Sequence, residues 1–494
     1  MEIVSVTMRE IHHRSLSLLT DFYQLTMAHA YWKSGKKDLR AAFHLFFREN
    51  PFQGGYTVAA GLEQVIEYIT ELKYSDEDLD YLGSINGHDG SPIFHKEFLN
   101  YLRTLDFCCD IYGVEEGTIV FPHEPLLRVE GPIIQAQLLE TILLNLINFP
   151  TLVATKAARV VHAAGGDPVL EFGLRRSQGI DGGLSASRAA YLGGCAATSN
   201  VLAGKRYSIP IRGTHAHSWV MAFDNELEAF RSYAETMPNN VVFLVDTYSV
   251  VEGVKKAIKV GHELKESGKS LIGIRLDSGD LAELSVKARK MLDEAGLEDV
   301  KIFASNDLDE SLIQSLKSQG AAIEVWGVGT RLVTAYDQPA LGGVYKLSAI
   351  HSSERIWTPK IKISEQSAKI SNPGVQQVRR FFDGGVAIAD MIYDCSSPLD
   401  EINVLIDPLD MTMQKKIANH LDHEDLLIPI FKAGRQVYEV PSLKAVRDKL
   451  RRCLAQFSAG VKRFTNPHLY PVGLEKSLFE MKTKLVLQSR SDHF

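Results

Sequence analysis

With 494 residues, 45% of them hydrophobic and 23% charged, the chain can bury a large core, and we expect it to divide into two or three domains. Its formal net charge of -7 argues against nucleic acid as a main partner, because surfaces that track phosphates are usually basic. Five cysteines without a CxxC pair, and an N-terminus without an apolar signal block, argue against a disulfide framework or a zinc ribbon and predict a cytoplasmic protein.

The two ends of the chain differ in pattern from its middle. Near the N-terminus the helical LLTDFYQLTMAHAYW precedes extended runs marked by proline, such as GTIVFPHEPLLRVEGP, and near the C-terminus the helical SLKAVRDKLRRCLAQF precedes NPHLYPVGL. We predict an N-terminal α+β domain over residues 1–140 and a central α/β barrel with the active site over 141–350. Residues 351–494 are predicted to pack back on the first domain, which makes the second, α+β domain discontinuous.

The most apolar stretch, residues 132–164, has the length of a membrane span. Polar or charged side chains interrupt it at several positions: Gln135, Gln137, Glu140, Asn145, Asn148, Lys156 and Arg159. We therefore expect no membrane partner for this chain.

The middle of the chain repeats a short apolar run, a polar turn and a helical stretch about every 25 to 30 residues, which is typical of parallel βα units. The predicted strands are 168–172, 241–245, 271–276, 300–304 and 322–325, and the predicted helices include 282–295 and 309–318. Closure of such units predicts an α/β barrel.

Acidic and amide side chains follow several of these strands, where a parallel sheet presents its ligand crevice: Asp246, Asp277, Asp280, Asn306 and Asp307. Each one taken alone is explained equally by a helix cap or a turn. Together on one rim, they can hold sugar hydroxyls or a hydrated magnesium ion.

Basic and small residues at the same strand ends favour an anionic ligand. Arg175 and Arg176 follow the first strand, although a surface salt bridge would explain them as well. Gly327 and Gly329, ahead of Thr330, allow close approach to a phosphate or form a simple tight turn. A stronger indication comes from Arg275, which lies inside an apolar strand and needs an anionic partner.

His215 and His217 stand two residues apart in GTHAHS. A zinc site would need further ligands at a familiar spacing, and the neighbourhood supplies none. A structural role remains open for either ring, and a neutral imidazole oriented by an aspartate can also accept a phosphoryl group. The chain has no GxSxG nucleophile elbow, so acyl transfer has no support.

The segments LLTDFYQLTM, EFGLRRSQGIDGG, GTHAHS, LVDTYS, IRLDSGD, SNDLDE, GVGT and LGGVYKL resemble, in order and spacing, those of the nicotinate phosphoribosyltransferases. The resemblance covers most of the chain and includes NPHLYPVGLEKSL near its end. It implies a type II phosphoribosyltransferase with an irregular α/β barrel, a second domain and a head-to-tail homodimer with shared active sites. The implied reaction converts nicotinate and phosphoribosyl pyrophosphate to nicotinate mononucleotide and pyrophosphate, with ATP hydrolysis, in NAD salvage.

The resemblance also implies roles for the catalytic residues. His217 occupies the position that ATP phosphorylates in the family, and we expect Asp246 to pair with it. Asp277 would contact the ribose or Mg²⁺. His215 occupies a variable position of the family motif, so it receives no chemical role.

Substrate contacts carry over in the same way. Phe172 and the partner subunit's Tyr23 would sandwich the pyridine ring, and Arg275 with Thr214 would contact the nicotinate. Gly329 and Thr330 would form part of the phosphate cradle, and Arg175 is a further candidate for substrate binding.

Two alternatives stay open. A nicotinamide phosphoribosyltransferase would share the phosphohistidine, but that family places an aspartate near the amide, and residues 191–205 contain no carboxylate. A catalytically inactive relative that acts as a binding protein would have to retain His217, Asp246, Arg275 and Asp277 without using them.

Overall fold

The computed structural model describes residues 16–351, 356–366, 369–397, 403–408, 410–418 and 420–491. These residues contain the following strands: β1 (Arg40–Phe46), β2 (Thr57–Val58), β3 (Asp110–Val114), β4 (Ile119–Val120), β5 (Leu127–Pro132), β6 (Val169–Glu171), β7 (Ala197–Thr198), β8 (Val242–Leu244), β9 (Gly273–Leu276), β10 (Lys301–Ala304), β11 (Val325–Val328), β12 (Val344–His351), β13 (Trp357–Pro359), β14 (Gln376–Asp383), β15 (Val386–Asp394), β16 (Asn403–Ile406), β17 (Gln414–Ile417), β18 (Asp422–Asp425), β19 (Leu427–Lys432), β20 (Arg435–Gln436) and β21 (Val472–Glu475).

Helices connect and cover these strands. They are α1 (Phe22–Lys33), α2 (Leu62–Thr70), α3 (Asp76–Ser84), α4 (Lys96–Arg103), α5 (Ile133–Leu138), α6 (Glu140–Ala164), α7 (Gly179–Leu192), α8 (Val201–Tyr207), α9 (His217–Met221), α10 (Glu226–Thr236), α11 (Val250–Glu266), α12 (Leu281–Glu294), α13 (Glu310–Ser318), α14 (Thr330–Val333), α15 (Leu443–Ala455) and α16 (Lys476–Ser491). Two short 3₁₀ turns, Pro51–Gln53 and Leu174–Arg176, accompany them.

A six-stranded parallel sheet, in the order β7-β6-β11-β10-β9-β8, forms the centre of the molecule and confirms the α/β class. Its strands are buried among the helices, as apolar runs in parallel sheets usually are. Four predicted strands agree with observed ones within about two residues. The prediction of a strand at 322–325 was wrong in position along the chain, because β11 is Val325–Val328 and includes the buried Trp326 and Gly327.

The parallel sheet is open among the described residues, because β7 and β8 do not pair with each other. The segment Ile209–His215 fills the gap between them. Thr198 donates its N–H to the Pro210 carbonyl and accepts from the Arg212 N–H, at 3.0 and 3.1 Å. On the other side the Leu244 N–H donates to the His215 ring at 3.2 Å. A proline without an N–H and an imidazole therefore stand where a closed barrel would have a regular strand.

A seven-stranded antiparallel sheet, in the order β13-β12-β1-β5-β3-β19-β20, combines strands from both ends of the chain. A third sheet, β17-β16-β21-β15-β14-β18, comes from the last quarter, and β2 pairs with β4. The residue limits of the three predicted domains stay a prediction, and residues 1–15 and 492–494 lie outside the part of the chain that the structure describes.

Helices α5 and α6, residues 133–164, are long and apolar enough to cross a membrane by length and composition. However, 61% of their most apolar window is buried inside the protein. Lys156 and Arg159 both form ion pairs with Glu310, at 2.7 and 2.8 Å. The segment therefore packs as a core helix of the fold.

Candidate functional site

A polar pocket lies at the carboxyl ends of β6, β9, β10 and β11. It is lined by Phe172, Arg175, Arg176, Arg275, Asp277, Ser305, Asn306, Asp307, Gly327, Gly329 and Thr330. Three guanidinium groups and two carboxylates thus face one opening. Most of the sequence-predicted substrate residues come together here, as expected for strand ends of a parallel sheet.

Arg275, on β9, is the most buried cation of the pocket. Its Nη2 donates to the His215 carbonyl at 2.9 Å, while its Nε is buried without a hydrogen-bond partner. Burial lowers the pKa of Arg275, and the nearby carboxylates of Asp277 and Asp246 only partly oppose that effect. A guanidinium that is partly desolvated and incompletely paired is suited to binding an anion.

His215 holds that carbonyl in place and is itself a packed structural residue. Its Nε2 accepts the Leu244 N–H, so the ring proton is on Nδ1, 3.4 Å from the Ala216 carbonyl. The ring contacts Tyr233 edge-on with 4.9 Å between centroids. Burial lowers the pKa of His215 to about 4, so the ring is neutral at pH 7.

His217 begins α9 at the rim of the pocket, with 40% of its side chain exposed. Its Nδ1 lies 3.2 Å from the Thr247 hydroxyl, and its Nε2 lies 3.9 Å from Asp277 Oδ2. Both ring nitrogens therefore have a defined neighbour. His217 is not among the residues that line the pocket, but its Nε2 faces Asp277, which is.

The pairing predicted between Asp246 and His217 is wrong in this structure. Asp246 Oδ2 accepts hydrogen bonds from the Asp277 N–H and the Ser278 hydroxyl, at 2.8 and 2.7 Å, and thereby fixes the turn after β9. Its Oδ1 is buried without a partner. Asp277 in turn accepts a hydrogen bond from the Ser305 hydroxyl. Asp277, 3.9 Å from His217, is thus the carboxylate beside the histidine, and Asp246 holds the Asp277 backbone in place.

Phe172 forms the apolar wall of the pocket. A side chain at Gly327 would lie 2.8 Å from the Phe172 ring, so this position needs a glycine for the ring to fit. Just before Phe172, the buried Glu171 accepts hydrogen bonds from the Ser187 and Thr198 hydroxyls, at 2.8 and 2.5 Å. Sequence reasoning on residues 191–205 missed this carboxylate because it comes from another strand.

Two consecutive residues of the pocket, Asn306 and Asp307, have positive φ angles of 109° and 42°. Non-glycine residues rarely adopt this region, which costs about 1 to 3 kcal/mol each and persists only where surrounding structure enforces it. The loop after β10 is therefore held in a specific shape.

Two of the predicted substrate contacts, Thr214 and Tyr23, are not among the residues that line the pocket. The Thr214 hydroxyl donates to the His215 carbonyl at 3.2 Å, the same oxygen that Arg275 contacts, so Thr214 is linked to Arg275 through that carbonyl. Tyr23 lies on α1, 48% exposed, and is not among the residues that line the pocket. Its predicted contribution across a subunit interface stays a prediction.

No group of three or more His, Cys, Asp or Glu side chains with the arrangement of a metal site occurs among the described residues. Mg²⁺ usually needs only one or two carboxylates, with water and substrate phosphates as the other ligands. The unpartnered Asp246 Oδ1 and the neighbouring Asp277 carboxylate fit that donor set.

Comparison with known proteins shows the family. Residues 18–148 match the nicotinate phosphoribosyltransferase (NAPRTase) N-terminal domain, residues 169–385 the NAPRTase family, and residues 375–482 the C-terminal domain. The chain belongs to the nicotinate phosphoribosyltransferase family. This finding confirms the resemblance drawn from the sequence motifs.

Several nicotinate phosphoribosyltransferases are similar over nearly their whole length. That of Bacillus subtilis (strain 168) is 45% identical, covering 97% of this chain and 96% of the relative, and that of Homo sapiens is 34% identical, covering 93% and 95%. The crystal structure of human nicotinic acid phosphoribosyltransferase matches with a TM-score of 0.82 and 32% identity, covering 94% of this chain and 99% of the other.

Proposed function

We propose that this member of the nicotinate phosphoribosyltransferase family transfers phosphoribosyl from phosphoribosyl pyrophosphate to nicotinate, giving nicotinate mononucleotide and pyrophosphate for NAD biosynthesis. The names of the relatives support this reaction. The observation that carries it in this chain is Arg275, a half-buried guanidinium that lines the pocket and whose Nε has no partner. The carboxylate of nicotinate supplies the missing acceptor, and the Phe172 ring lines the same pocket beside it.

The chemistry requires positioning more than proton transfer. The pyridine nitrogen of nicotinate forms a bond to ribose C1 with its own lone pair, while the bond from C1 to the pyrophosphate oxygen breaks. No proton has to be removed from the nucleophile, so no general base is needed. Positive charge develops on the ribose, which Asp277 can stabilise. Negative charge develops on the leaving pyrophosphate, which the pocket arginines, Arg175 among them, can stabilise. Gly329 and Thr330 offer backbone N–H groups at the same opening.

We further propose that ATP hydrolysis is coupled to this transfer through His217. A lone pair on the His217 ring attacks the γ-phosphorus of ATP, an N–P bond forms, and the bond to the ADP oxygen breaks. Water then cleaves the N–P bond, which releases phosphate and restores the histidine. The exposed ring at the pocket rim, with Thr247 and Asp277 beside its two nitrogens, supports this role. Asp277, with Asp246 as its neighbour, would hold Mg²⁺, which neutralises phosphate charge when bound.

A homodimer with shared active sites is the assembly that we propose. Apolar side chains are exposed on and before α1, namely Leu16, Leu19, Phe22 and Tyr23. Other exposed apolar side chains come between residues 174 and 211: Leu174, Ile180, Val201, Leu202 and Ile211. Exposed apolar patches of this kind usually mark an interface, and head-to-tail association would bring the partner subunit's Tyr23 to Phe172. All five cysteines are free, which fits a cytoplasmic location.

Pyrophosphate release tests the proposal, measured with nicotinate or nicotinamide, each with and without ATP. We expect nicotinate to be preferred by at least about two orders of magnitude in kcat/KM, because Arg275 gains a carboxylate partner. Arg275→Lys should reduce that preference, since a point charge replaces a planar fork. Arg231→Lys, at an exposed ion pair with Glu263, is the matched control.

Two results would overturn the proposal. Equal turnover of both pyridines would favour a nicotinamide phosphoribosyltransferase. Release of no pyrophosphate with either pyridine, by folded protein, would favour an inactive relative that serves as a binding protein.

A further inference from the structure

Two loops, which follow the neighbouring strands β10 and β11, line part of the pocket. The first loop comprises residues 305–309 after β10, and the second comprises residues 329–331 after β11. Asp309 of the first loop and Arg331 of the second form an ion pair, with Oδ2 and Nη1 3.0 Å apart. The Asp309 side chain is 13% exposed and that of Arg331 33%, so the pair is partly shielded from water.

The Asp309 carboxylate has a second task. As N-cap of α13 it accepts the Leu312 N–H on Oδ1 at 2.8 Å, while Oδ2 receives Arg331. One carboxylate therefore holds both the start of a helix and the neighbouring loop. Arg331 is further oriented by the Tyr336 ring, whose centroid lies 4.7 Å from its guanidinium carbon.

Behind this pair lies a second, buried set of charges. Lys156 of the core helix α6 contacts Glu310 and Asp337, each at 2.7 Å, and Arg159 contacts Glu310 at 2.8 Å. The Lys156 side chain is 1% exposed, so breaking this set leaves a charge uncompensated in the core. Because Glu310 follows Asp309 and Asp337 lies 3.8 Å from Arg331, the core helix supports both loops.

The first loop needs such support because of its backbone. The positive φ angles of Asn306 and Asp307 are costly and persist only when neighbouring contacts enforce them. On one side Ser305 is bonded to Asp277, and on the other side Asp309 is bonded to Arg331. The loop is thus held at both ends.

We propose that the Asp309–Arg331 ion pair, supported by Lys156 and Glu310, is a positioning latch that sets the separation of the two loops and thereby the affinity for the pyrophosphate end of the donor. Neither residue lines the pocket, so both act through the loop residues that do. This inference rests on the proposed function, because it takes phosphoribosyl pyrophosphate as the ligand.

Two neutralising variants separate this role from simpler ones. Asp309→Asn keeps the helix cap, because asparagine caps as well as aspartate, and removes the ion pair. Arg331→Gln removes the same pair from the other side. A latch predicts that both variants weaken binding of the donor by about fivefold or more, and that the double variant is little worse than either single one.

The measurements are calorimetric binding of phosphoribosyl pyrophosphate, KM and kcat for that substrate, and thermal unfolding. We expect KM for the donor to rise more than kcat falls, with Arg331→Lys restoring part of the affinity. The control is Glu263→Gln, which removes an exposed ion pair on another pair of helices and should leave binding unchanged.

Other outcomes would overturn the inference. Opposite effects, with Asp309→Asn binding the anion more tightly and Arg331→Gln more weakly, would show that only local charge matters. Reduced thermal stability with unchanged binding would show a purely structural pair. Failure of the unaltered protein to bind phosphoribosyl pyrophosphate would instead refute the proposed function, and this inference with it.

Discussion

His215 and His217 illustrate how surroundings separate two identical side chains. In a regular strand a spacing of two would place both rings on one face. Here His215 belongs to an irregular segment and is 7% exposed, whereas His217 begins a helix and has 40% of its side chain exposed. Of the two, only His217 has an accessible ring beside a pocket residue, Asp277.

Incubation with ATP labelled at the γ-phosphate should therefore give an acid-labile, base-stable phosphate on His217. His217→Ala should remove the label and the coupling to ATP, while slow synthesis of the nucleotide continues uncoupled. His215→Gln is the matched control and should keep the label. Labelling that persists in His217→Ala would place the phosphoryl acceptor elsewhere.

For single residues, the sequence predicts which side chains are suited to bind a ligand better than it predicts which residues they contact. Arg275 stands out because a cation inside an apolar strand is costly, and the structure places it at the pocket. The partner of His217 could not be predicted, because Asp246 and Thr247 are adjacent in the sequence and only the local backbone decides which one faces the ring. Glu171 was missed because its contacts come from residues far apart in the chain.

Among the elements, the segment Ile209–His215 has the least regular structure and a direct role in the parallel sheet. The His215 ring accepts the Leu244 N–H and thereby links the segment to β8. Protonation of Nε2 would remove that acceptor. Because burial lowers the pKa of His215 to about 4, the unfolded chain binds this proton first as the pH falls.

The stability contributed by neutral His215 is complete above its unfolded pKa of 6.5 and is lost as the pH falls toward 4. When the pH is lowered from about 7 to about 5, we expect the unfolding free energy of the unaltered protein to fall by about 2 kcal/mol more than that of His215→Gln. Glutamine offers an acceptor that does not titrate. Urea unfolding at both pH values measures the difference.

Other buried histidines do not disturb this comparison. Burial also lowers the pKa of His44 and, to about 4, that of His123, but both titrate identically in the two proteins. Equal acid sensitivity of His215→Gln and the unaltered protein would contradict the prediction.

The positions of helices and strands were predictable where the apolar residues follow a regular pattern, and unpredictable where that pattern is interrupted. Helix α12 (Leu281–Glu294) follows the apolar periodicity of the sequence almost residue for residue. Strand β11 was misplaced because its glycine suggested a turn, although tertiary packing buries Trp326 and Val328 in the sheet. The segment at the open edge of the parallel sheet is held to β8 by a hydrogen bond to the His215 side chain. Hydrophobic periodicity in the sequence does not predict such a bond.

For the whole molecule, the proposed assembly predicts complementation between inactive variants. Tyr23→Ala and Asp277→Ala should each be inactive, and an equal mixture should recover up to about a quarter of full activity after subunit exchange, because half the dimers are hybrids with one intact site. The measurement is pyrophosphate release before and after exchange.

The matched control mixes Asp277→Ala with His217→Ala. Both changes affect the same subunit's site, so no hybrid contains an intact site, and no activity above the slow uncoupled rate of His217→Ala is expected. If this control mixture recovers as much activity as the first mixture, Tyr23 does not act across the interface. The same conclusion follows if the first mixture recovers no activity after proven subunit exchange.

The antiparallel sheet that joins both ends of the chain also constrains how the protein is made. Strand β3 (Asp110–Val114) pairs with β19 (Leu427–Lys432), which the ribosome synthesises about 310 residues later. At about 5 to 20 residues per second, the outer edge of β3 stays unpaired for about 15 to 60 s. Since an exposed strand edge can recruit other chains, we expect nascent chains truncated before β19 to aggregate or to associate with chaperones.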